Sequence, residues 1–534
     1  MRIWREKSGL NPTPGGPESP RPFAVVDVGT NAIRMDIAEI RPHGEPRVLD
    51  SLQQAVSLGR DTFSGGRIQQ GTIEECVEAL KGFRNVMGEY GIVHEDQVRA
   101  VGTSSILEAE NRDAFLDRIY IATGIHVVPL EDTEVNRLTY VALYQLLGKE
   151  PALREGDLLA VEVGGGSTKL LLIQNGAVSY ASMFRLGSYR VRETLEKHRT
   201  PADRIRAVLD QHIQRVVDQM LHSAPVDSVP HIVAIAGDMQ FAMSKLVPDW
   251  GPNQIATLKP NAFSIAEKIA VTPVDELVKK HRLPYHEAET AGPALLAYVR
   301  VARAFKAKAL FVTRLSLRQG LLVDEAGGGL WTETFVAQIV NSAMGLGERF
   351  NYDKAHSCHV ADLSVRLFKD LQEEHRMEPR FEILLRVAAI LHEIGMYVSN
   401  RSHHKHSMYL IANSDVFGLS REDIRTVALV ARYHRRSPPR LSHQEFVLLD
   451  HETRMAVTKL AAILRVADCL DRAHAQRIRD FAVTQDGRHM VLAVRNVDDV
   501  TMERLALEEK GGMFEEVYGK AVVLRTAEPV EGGA

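Results

Sequence analysis

Two regions of the chain alternate as strand, turn and strand, with apolar residues in both arms, and each therefore predicts a pair of β-strands. Residues 23–40 read FAVVDVGT and then, after Asn31, AIRMDIAEI, two arms rich in β-branched and apolar residues around a short polar turn. Residues 156–178 repeat this arrangement as GDLLAVEVGGGSTKLLLIQNGAV. Helix and strand patterns follow each hairpin, so the sequence predicts an internal duplication of two α/β units.

Other segments predict the remaining elements of these units. Residues 72–91 have the pattern of a helix with Thr72 as its N-cap. A strand at QVRAVGT, a helix from about Asn111 and a strand at HVVPL follow. From about residue 335 long amphipathic patterns replace strands, and after 478 the pattern returns to strand, helix and strand.

The fold class that follows is α/β, with two duplicated lobes, then an all-α domain and a small β/α C-terminal domain. The predicted boundaries are a disordered tail over 1–22, lobe I over 23–150, lobe II over 151–328, the helical domain over 329–478 and the β/α domain over 479–534. The first 22 residues are rich in Pro and Gly and lack the apolar core of a signal peptide.

Composition narrows the function classes. With 65 Lys and Arg against 69 Asp and Glu, the formal net charge of −4 argues against a nucleic-acid partner held by bulk charge. Cys76, Cys358 and Cys469 lie far apart and predict neither a disulfide framework nor a zinc ribbon. No apolar run reaches the roughly 18–20 residues that span a bilayer. We therefore expect a cytoplasmic protein with neither nucleic acid nor membrane as a partner.

Both predicted hairpins carry phosphate-binding chemistry at their tips. Glycines allow tight turns that expose N–H groups to an anion, at Gly29 and at Gly164, Gly165 and Gly166. Further donors would come from Thr30, Asn31, Ser167 and Thr168. Asp27 and Glu162 end the first strands and are hard oxygen ligands suited to Mg²⁺. The alternative is a pair of glycine turns without a ligand, but two copies in register favour phosphate.

These motifs resemble the exopolyphosphatase/guanosine pentaphosphate phosphatase family, a branch of the actin, sugar-kinase and heat-shock ATPase superfamily. Its patterns D-x-G-(S/T)-N-S-x-R-L and D-x-G-G-G-S-T-E match here at Asp27, Gly29, Thr30, Asn31 and Arg34, and at Gly164 to Thr168, with Glu162 in place of Asp. Two further segments resemble regions of this family: AVGTSSILEAENRDAFLDRI, and LSLRQGLL, which the resemblance places at a strand end.

The resemblance implies two ribonuclease-H-like lobes that face each other across a cleft holding a terminal phosphate and Mg²⁺. The implied substrate is inorganic polyphosphate or guanosine pentaphosphate, and members with the helical domain imply a homodimer. The family's catalytic glutamate corresponds to Glu134 in LEDTEVNR, anchored by Arg137. Its role is to align the attacking water.

Several positions depart from the family pattern. Leu107 replaces an arginine that would clamp phosphate, and Lys169 replaces the last glutamate of the glycine motif. Lys169 is a candidate phosphate ligand that restores the lost charge. Asp238, after Ala236 and Gly237, replaces a threonine of the nucleotide loop. Two rival functions therefore stay open: a weakly catalytic regulator that binds polyphosphate or guanosine pentaphosphate, and a kinase of the same superfamily.

The helical domain resembles the HD phosphohydrolases. His356, His392, Glu393 and Asp468 follow the order of that superfamily's metal ligands, with Glu393 in place of Asp, and would suit Mn²⁺, Fe²⁺ or Zn²⁺. The alternative is a buried hydrogen-bonded cluster without metal, and we expect a structural or regulatory role. Nearby HHKH and RYHRR segments would form either a polyanion channel or a solvated surface.

Overall fold

The computed structural model defines the backbone over most of the chain. It describes residues 20–41, 44–150, 153, 156–197, 204–226, 230–235, 250, 255–260, 263–327, 333–495, 497 and 499–526. Residues 1–19 of the predicted 1–22 tail lie outside these residues, as do Ala236, Gly237 and Asp238. Arg21 and Pro22, which that tail included, begin the first β-strand.

The strands and helices of the described residues follow one another along the whole chain. The strands are β1 Arg21–Val28, β2 Ala32–Ile40, β3 Arg47–Ala55, β4 Val98–Gly102, β5 Val127–Pro129, β6 Leu158–Val163, β7 Thr168–Gln174, β8 Ala177–Phe184, β9 His231–Ile235, β10 Ala256–Leu258, β11 Leu310–Thr313, β12 Phe481–Asp486, β13 His489–Val494 and β14 Ala521–Thr526. The helices are α1 Leu58–Gly65, α2 Gln70–Glu89, α3 Ser104–Leu107, α4 Arg112–Thr123, α5 Asp132–Lys149, α6 Ser188–Lys197, α7 Ile205–Ser223, α8 Phe263–Ala270, α9 Val274–His281, α10 Tyr285–Ala304, α11 Leu317–Ala326, α12 Glu333–Arg349, α13 Lys354–Asp370, α14 Gln372–His375, α15 Arg380–Leu391, α16 His403–Ala412, α17 Arg421–Arg432, α18 Gln444–Val447, α19 His451–Leu470, α20 Thr501–Lys510 and α21 Gly512–Tyr518.

The first compact unit contains the described residues up to 129 and those over 317–327. Its sheet has the order β3-β2-β1-β4-β5. β1, β2 and β3 form an antiparallel meander, while β4 lies parallel to β1 and β5 parallel to β4. β1 and β2 are almost wholly apolar toward the core, and α11 packs on both of them. The α11 segment therefore brings polar side chains from late in the chain to the β1–β2 hairpin.

The second unit repeats the same sheet. The order is β10-β11-β9-β6-β7-β8, again with an antiparallel meander (β6, β7, β8), then β9 parallel to β6 and β11 parallel to β9. β10 adds an antiparallel edge. Helix α5 packs on β7 and β8, and α10 packs on β6 and on α6, α7 and α8. The predicted duplication is confirmed, since the two meanders and their parallel additions have the same topology.

Helices follow the second sheet in the same unit. α13, α15, α17 and α19 pack against one another, and α12 packs on both β8 and α15. Beyond α19, a sheet of order β12-β13-β14 carries α20 and α21, which pack on α19 and β14. The helical region and the β/α C-terminal part are confirmed.

Some local predictions are wrong or need adjustment. Helix α2 begins at Gln70, not at Thr72, because Asp61 Oδ2 accepts a hydrogen bond from the Gln69 N–H at 2.8 Å and fixes an earlier start. The LSLRQGLL segment is helix α11 and not a strand end. The predicted helix near 501–517 is broken at Gly511 into α20 and α21. The three cysteines form no disulfide, and none of the described helices has the length and apolarity of a membrane span.

Candidate functional site

The tip of the first hairpin brings an acid and a cation to opposite strands. Asp27 on β1 lies directly across from Arg34 on β2, and the Gly29 N–H donates to the Ala32 carbonyl at 3.1 Å to close the turn. Arg34 does not donate to Asp27. Its guanidinium donates to Asn31 Oδ1 at 3.4 Å and to Gln53 Oε1 on β3 at 3.1 Å.

Helix α11 supplies a second cation to this hairpin. The Arg318 guanidinium donates from Nε to Asp36 Oδ2 at 2.8 Å, while its Nη1 lies 4.0 Å from Asp27 Oδ2. All three side chains are largely buried. Arg318 therefore neutralises Asp36 directly and faces Asp27 at a distance longer than a hydrogen bond. Leu107, at the end of α3 in the same unit, is half-buried and brings no charge.

The second tip is a glycine loop packed against the start of α6. The carbonyls of Gly164 and Gly165 accept from the N–H groups of Ser188, Tyr189 and Arg190 at 2.9–3.1 Å, and Gly166 O accepts from Arg190 Nε at 2.9 Å. These bonds turn the carbonyls of the loop toward α6. Because each peptide N–H points away from the carbonyl of the same peptide, the N–H groups of Gly165, Gly166 and Ser167 lie on the opposite side, as in an anion-binding turn, while the Gly164 N–H closes the turn by donating to the Ser167 carbonyl at 2.8 Å.

The acid of the second tip has a different partner from that of the first. Glu162 on β6 lies across from Lys169 on β7, and Lys169 Nζ donates to Glu162 Oε2 at 2.9 Å. The Lys169 side chain is 13% exposed and that of Glu162 19%. Two predicted ligands, one for phosphate and one for Mg²⁺, are thus paired with each other in the described structure.

The predicted hydroxyl donors differ in their accessibility. Thr168 is fully buried, and its hydroxyl donates to the Leu186 carbonyl, which disfavours a direct phosphate contact. Thr30 is also buried, and its carbonyl accepts from the Gly59 N–H at 2.7 Å. Ser167 is half-buried at the loop. Ser167 is therefore the hydroxyl of the second tip that fits the predicted role.

The predicted catalytic glutamate lies in the first turn of α5. Arg137 Nε donates to Glu134 Oε2 and Arg137 Nη2 donates to Glu134 Oε1, both at 2.8 Å. Arg137 is 2% exposed and lies against the Phe335 ring, with its guanidinium carbon 5.5 Å from the ring centroid. The Glu134 side chain is 24% exposed. A rigid guanidinium therefore fixes both oxygens of a carboxylate that solvent still reaches, which agrees with the predicted anchoring by Arg137.

The four histidines and acids predicted in the helical domain come together in one cluster. His356 Nε2 lies 3.6 Å from Asp468 Oδ1 and 3.9 Å from Glu393 Oε2, and His392 Nε2 lies 3.8 Å from Asp468 Oδ1. His356 comes from the first turn of α13, His392 directly follows α15, and Asp468 is in the last turn of α19. These side chains are wholly or almost wholly buried.

Charged groups around this cluster set its electrostatics. Burial lowers the pKa of the His356 imidazole, but interactions with Asp468 and Asp471 outweigh burial and raise that pKa to about 9. Burial raises the pKa of Asp468, yet His356, His392 and Lys510 together hold it well below the usual range of an Asp carboxyl. An ionised acid and its cationic partners therefore share a buried space.

Several residues of these sites were not predicted from the sequence. They are Asp36, Gly187 and Arg318 near the hairpins, and Asp471, His474 and Lys510 around the helical cluster. His403 and His434, from the HHKH and RYHRR segments, are buried, so the solvated surface expected there is wrong for these two residues. Asp471 follows Asp468 by less than one helical turn, and this short spacing is the one sequence signal that could have indicated Asp471 as a member of the cluster. The others reach their sites only through tertiary packing.

Two duplicated lobes with acid- and glycine-bearing hairpins have the duplicated actin-like fold. The family model described as the Ppx/GppA phosphatase family matches residues 36–328, and its domain III model matches residues 340–510. The chain therefore belongs to the Ppx/GppA phosphatase family.

Similar proteins agree with this assignment. A guanosine-5'-triphosphate,3'-diphosphate pyrophosphatase of Photobacterium profundum is 22% identical over 457 residues, which cover 85% of this chain and 88% of the relative. The protein of that name from Aeromonas hydrophila is 23% identical over 455 residues, 83% and 86% of the two chains. The crystal structure of an exopolyphosphatase from Cytophaga hutchinsonii covers 58% of this chain and 99% of its own, with 20% identity and a TM-score of 0.52. The latter shows the shared fold.

Proposed function

We propose that this phosphatase is an exopolyphosphatase-like hydrolase that releases the terminal phosphate of inorganic polyphosphate, with guanosine pentaphosphate as the alternative substrate. Family membership supports a phosphatase, and the names of the relatives point to these two phosphoanhydride substrates. Both substrates end in a phosphate linked through an anhydride oxygen, so one arrangement of groups serves either.

The observation that carries the proposal is the fixed carboxylate of Glu134. Hydrolysis of a phosphoanhydride needs a positioned water more than a strong base, because the transferring phosphoryl group bonds only loosely to either oxygen. Arg137 holds both oxygens of Glu134 at 2.8 Å and is itself locked by burial. A carboxylate held in this way can orient a water molecule with little reorganisation.

The chemical step then balances without a covalent enzyme intermediate. The water oxygen forms a bond to the terminal phosphorus, and the bond from that phosphorus to the bridging oxygen breaks. Glu134 accepts the proton that the water loses. The products are inorganic phosphate and a chain shorter by one phosphate. The N–H groups of Gly165, Gly166 and Ser167 would take up charge on the terminal phosphate oxygens.

The chain's own ligands fit Mg²⁺ better at the first hairpin than at the second. Asp27 offers a hard carboxylate at the end of β1, of the kind that Mg²⁺ takes together with ligands from water and phosphate. Glu162 Oε2 is bound by the Lys169 ammonium, which a metal would have to displace. Asp27 would therefore hold the ion. Bound Mg²⁺ would neutralise phosphate charge.

A specific observation also favours the second candidate, a regulator that binds polyphosphate or guanosine pentaphosphate with little turnover. The Glu162–Lys169 pair removes one acid from metal binding, and Leu107 supplies no charge in place of the arginine. Such a protein would bind the polyanion and release phosphate slowly or not at all.

Phosphate release tests the proposal. Wild-type protein with Mg²⁺ should release phosphate from long polyphosphate, from guanosine pentaphosphate, or from both. Glu134→Gln should lower kcat by about 100- to 10,000-fold, the usual contribution of a general base, with little change in the binding of polyphosphate.

Glu150→Gln at the other, exposed end of α5 is the matched control and should keep wild-type kcat. Tight binding of polyphosphate by the wild type without phosphate release would contradict the hydrolase proposal and favour the regulator. Full activity of Glu134→Gln would contradict the role of this carboxylate.

A further inference from the structure

The carboxyl end of β6 separates from β9 just before the glycine loop begins. The two strands pair in parallel up to Val161 and Ala234. Beyond that point β6 continues beside β7 as far as Val163, and β9 continues beside β11 as far as Ile235. The second sheet therefore opens between β6 and β9 at the end from which the loop leaves.

The connections of these two strands also diverge at this end. The chain leaves β6 toward β7 on one side, and it leaves β9 toward β10 and β11 on the other. In open α/β sheets, ligands bind in the crevice outside the carboxyl ends of strands whose connections diverge. The Gly164–Ser167 loop follows β6 directly, so the opening lies at the base of the proposed phosphate site.

A tyrosine hydroxyl bridges this opening. Tyr298 lies on α10, which packs on β6. Its hydroxyl oxygen accepts from the Val163 N–H at 2.8 Å, and the hydroxyl donates to the Ile235 carbonyl at 3.0 Å. A hydroxyl can donate and accept at the same time, so a single group links both strand ends where the sheet no longer pairs them.

Deep burial makes these two hydrogen bonds consequential. Tyr298 is 0% exposed, and Val163 and Ile235 are each 2% exposed. The tyrosine lies within an apolar cluster that a phenylalanine ring would fill equally well, so the hydroxyl is what distinguishes Tyr from Phe here. Without it, a buried N–H and a buried carbonyl would lose this partner, and they could recover one by closing the opening between the strands.

The glycine loop is anchored at its base as well as along its length. The N–H groups of Ser188 and Tyr189 on α6 donate to the carbonyls of Gly164 and Gly165. Val163 directly precedes the loop, so its bond to the tyrosine hydroxyl fixes the point from which the loop starts. A shift of that point would displace the loop N–H groups, and a misplacement of about 1 Å in a positioning group can cost about 100-fold in rate.

We propose that Tyr298 is a positioning residue for the phosphate loop. Its hydroxyl sets the opening between β6 and β9 and thereby the placement of the N–H groups that face the terminal phosphate. This inference rests on the proposed function, in which the loop binds that phosphate. Tyr298 is fully buried and acts through the backbone of Val163, not by touching substrate.

A purely structural hydroxyl is the competing interpretation. In that case the bonds of Tyr298 contribute to stability alone, and the contacts with α6 suffice to place the loop. The two interpretations differ in substrate binding, because only a positioning role changes the affinity of the folded protein for polyphosphate.

Polyphosphate binding in the absence of turnover distinguishes them in the full-length protein. The reference is Glu134→Gln, and the test protein carries Tyr298→Phe in addition. We expect the Kd for long-chain polyphosphate to rise about 5- to 20-fold. In the hydrolysing protein, Tyr298→Phe alone should raise KM by a similar factor and lower kcat less than about threefold, because the loop binds the terminal phosphate before as well as during the reaction.

Tyr518→Phe is the matched control. Its hydroxyl donates to the Lys459 carbonyl at 3.2 Å, a tyrosine-to-backbone bond that lies in the C-terminal part of the chain. Both substitutions should lower the thermal midpoint, but Tyr518→Phe should leave Kd and KM unchanged. An unchanged Kd in the Tyr298→Phe protein would overturn the positioning role, as would an equal rise in Tyr518→Phe. Absence of polyphosphate binding by the reference would also overturn it. If the wild type binds polyphosphate without hydrolysing it and Tyr298→Phe still raises Kd, the proposed hydrolysis fails and the positioning role stands.

Amide hydrogen exchange supplies a second measurement that needs no ligand. The Val163 amide should exchange at least about 10-fold faster in Tyr298→Phe than in the wild type, because it has lost its acceptor. Mass spectrometry of a peptide that covers β6 and the glycine loop reads this change. The same exchange rate in both proteins would mean that the hydroxyl does not hold the base of the loop, and the inference would fall.

Discussion

In both hairpins an acid on the first strand lies directly opposite a cation on the second, yet the two pairs differ in their contacts. Lys169 donates to Glu162 at 2.9 Å. Arg34 turns away from Asp27 and donates to Asn31 and Gln53. Duplicated strands therefore keep the register of the pair, while side-chain chemistry decides whether the acid is neutralised within its own hairpin.

This difference separates the roles of the two tips. An ammonium bound to a carboxylate reduces its charge, which weakens it as a ligand for a hard cation. Asp27 is not bonded to the cation opposite it in its own hairpin, and Arg318 Nη1 from α11 lies 4.0 Å from its Oδ2. We infer that the first tip serves Mg²⁺ and that the second tip serves phosphate through its loop and Lys169.

The largest expected effect comes from removing the acid of the first tip. Asp27→Asn should lower kcat/KM with Mg²⁺ by about 100-fold or more, the size of a lost charge contact in a transition state. Glu162→Gln should lower it by about 10-fold or less, because its charge is already offset by Lys169. Steady-state phosphate release over a range of Mg²⁺ concentrations measures both.

A second readout of the same experiment identifies the cause. The Asp27→Asn variant should need a higher Mg²⁺ concentration for half-maximal rate, whereas Glu162→Gln should keep the wild-type dependence. Equal losses in the two variants, with equal shifts in Mg²⁺ dependence, would mean that the tips share one metal role and that the comparison fails.

A smaller effect concerns the glycine that packs against each tip. A Cβ at Gly187 would lie 2.2 Å from Gly165 O and 2.3 Å from the Gly166 carbonyl carbon, both backbone atoms. A Cβ at Gly59 would lie 2.1 Å from Thr30 Cγ2, which can move by side-chain rotation. Gly187→Ala should therefore cost about 1–3 kcal/mol in the free energy of unfolding, and Gly59→Ala about 1 kcal/mol or less.

Denaturant unfolding of both variants measures this difference. Gly82→Ala is the control, because a Cβ there meets no atom within 4 Å in the middle of α2, and it should stabilise the protein by up to about 1 kcal/mol. A Gly187→Ala variant as stable as the wild type would show that the second loop can shift away from α6, so its carbonyl bonds would not fix it.

The sequence predicted the hairpins well because their determinants are local. Each hairpin consists of two apolar arms around one short polar turn, and the length of the turn fixes the register in which the arms pair. The acid and the cation are equally spaced in both motifs, so their cross-strand pairing follows once the turn length is known. The Glu134–Arg137 contact is also local, since three residues separate its partners on one face of α5.

Contacts between distant segments could not be predicted in this way. Arg318 reaches Asp36 across 282 residues, and Lys510 reaches Asp468 from a separate helix. No periodicity links such positions, because packing of whole elements brings them together. The start of α2 shows the same limit on a small scale. The Gln69 N–H donates to Asp61, which lies outside the helix, and the helix begins at Gln70 instead of at the predicted Thr72.

The smallest expected effect comes from a substitution that would give the acid of the first tip the same kind of contact as the acid of the second. Gln53 on β3 accepts from Arg34 Nε at 3.1 Å at an exposed position and thereby helps to hold the guanidinium away from Asp27. In Gln53→Ala this restraint is lost, so Arg34 can turn to the carboxylate opposite it, as Lys169 does in the second hairpin. An exposed pair contributes about 0–1 kcal/mol, so the free energy of unfolding should change by less than about 0.5 kcal/mol. The Mg²⁺ concentration for half-maximal phosphate release should rise about two- to threefold, because a neutralised Asp27 binds the ion less well.

The control is Gln54→Ala. Gln54 is the neighbouring β3 residue, its side chain points to the opposite face, and its substitution should leave that concentration unchanged. If Gln53→Ala also leaves it unchanged, then Arg34 does not compete with the metal, and the difference between the tips must come from Arg318 instead.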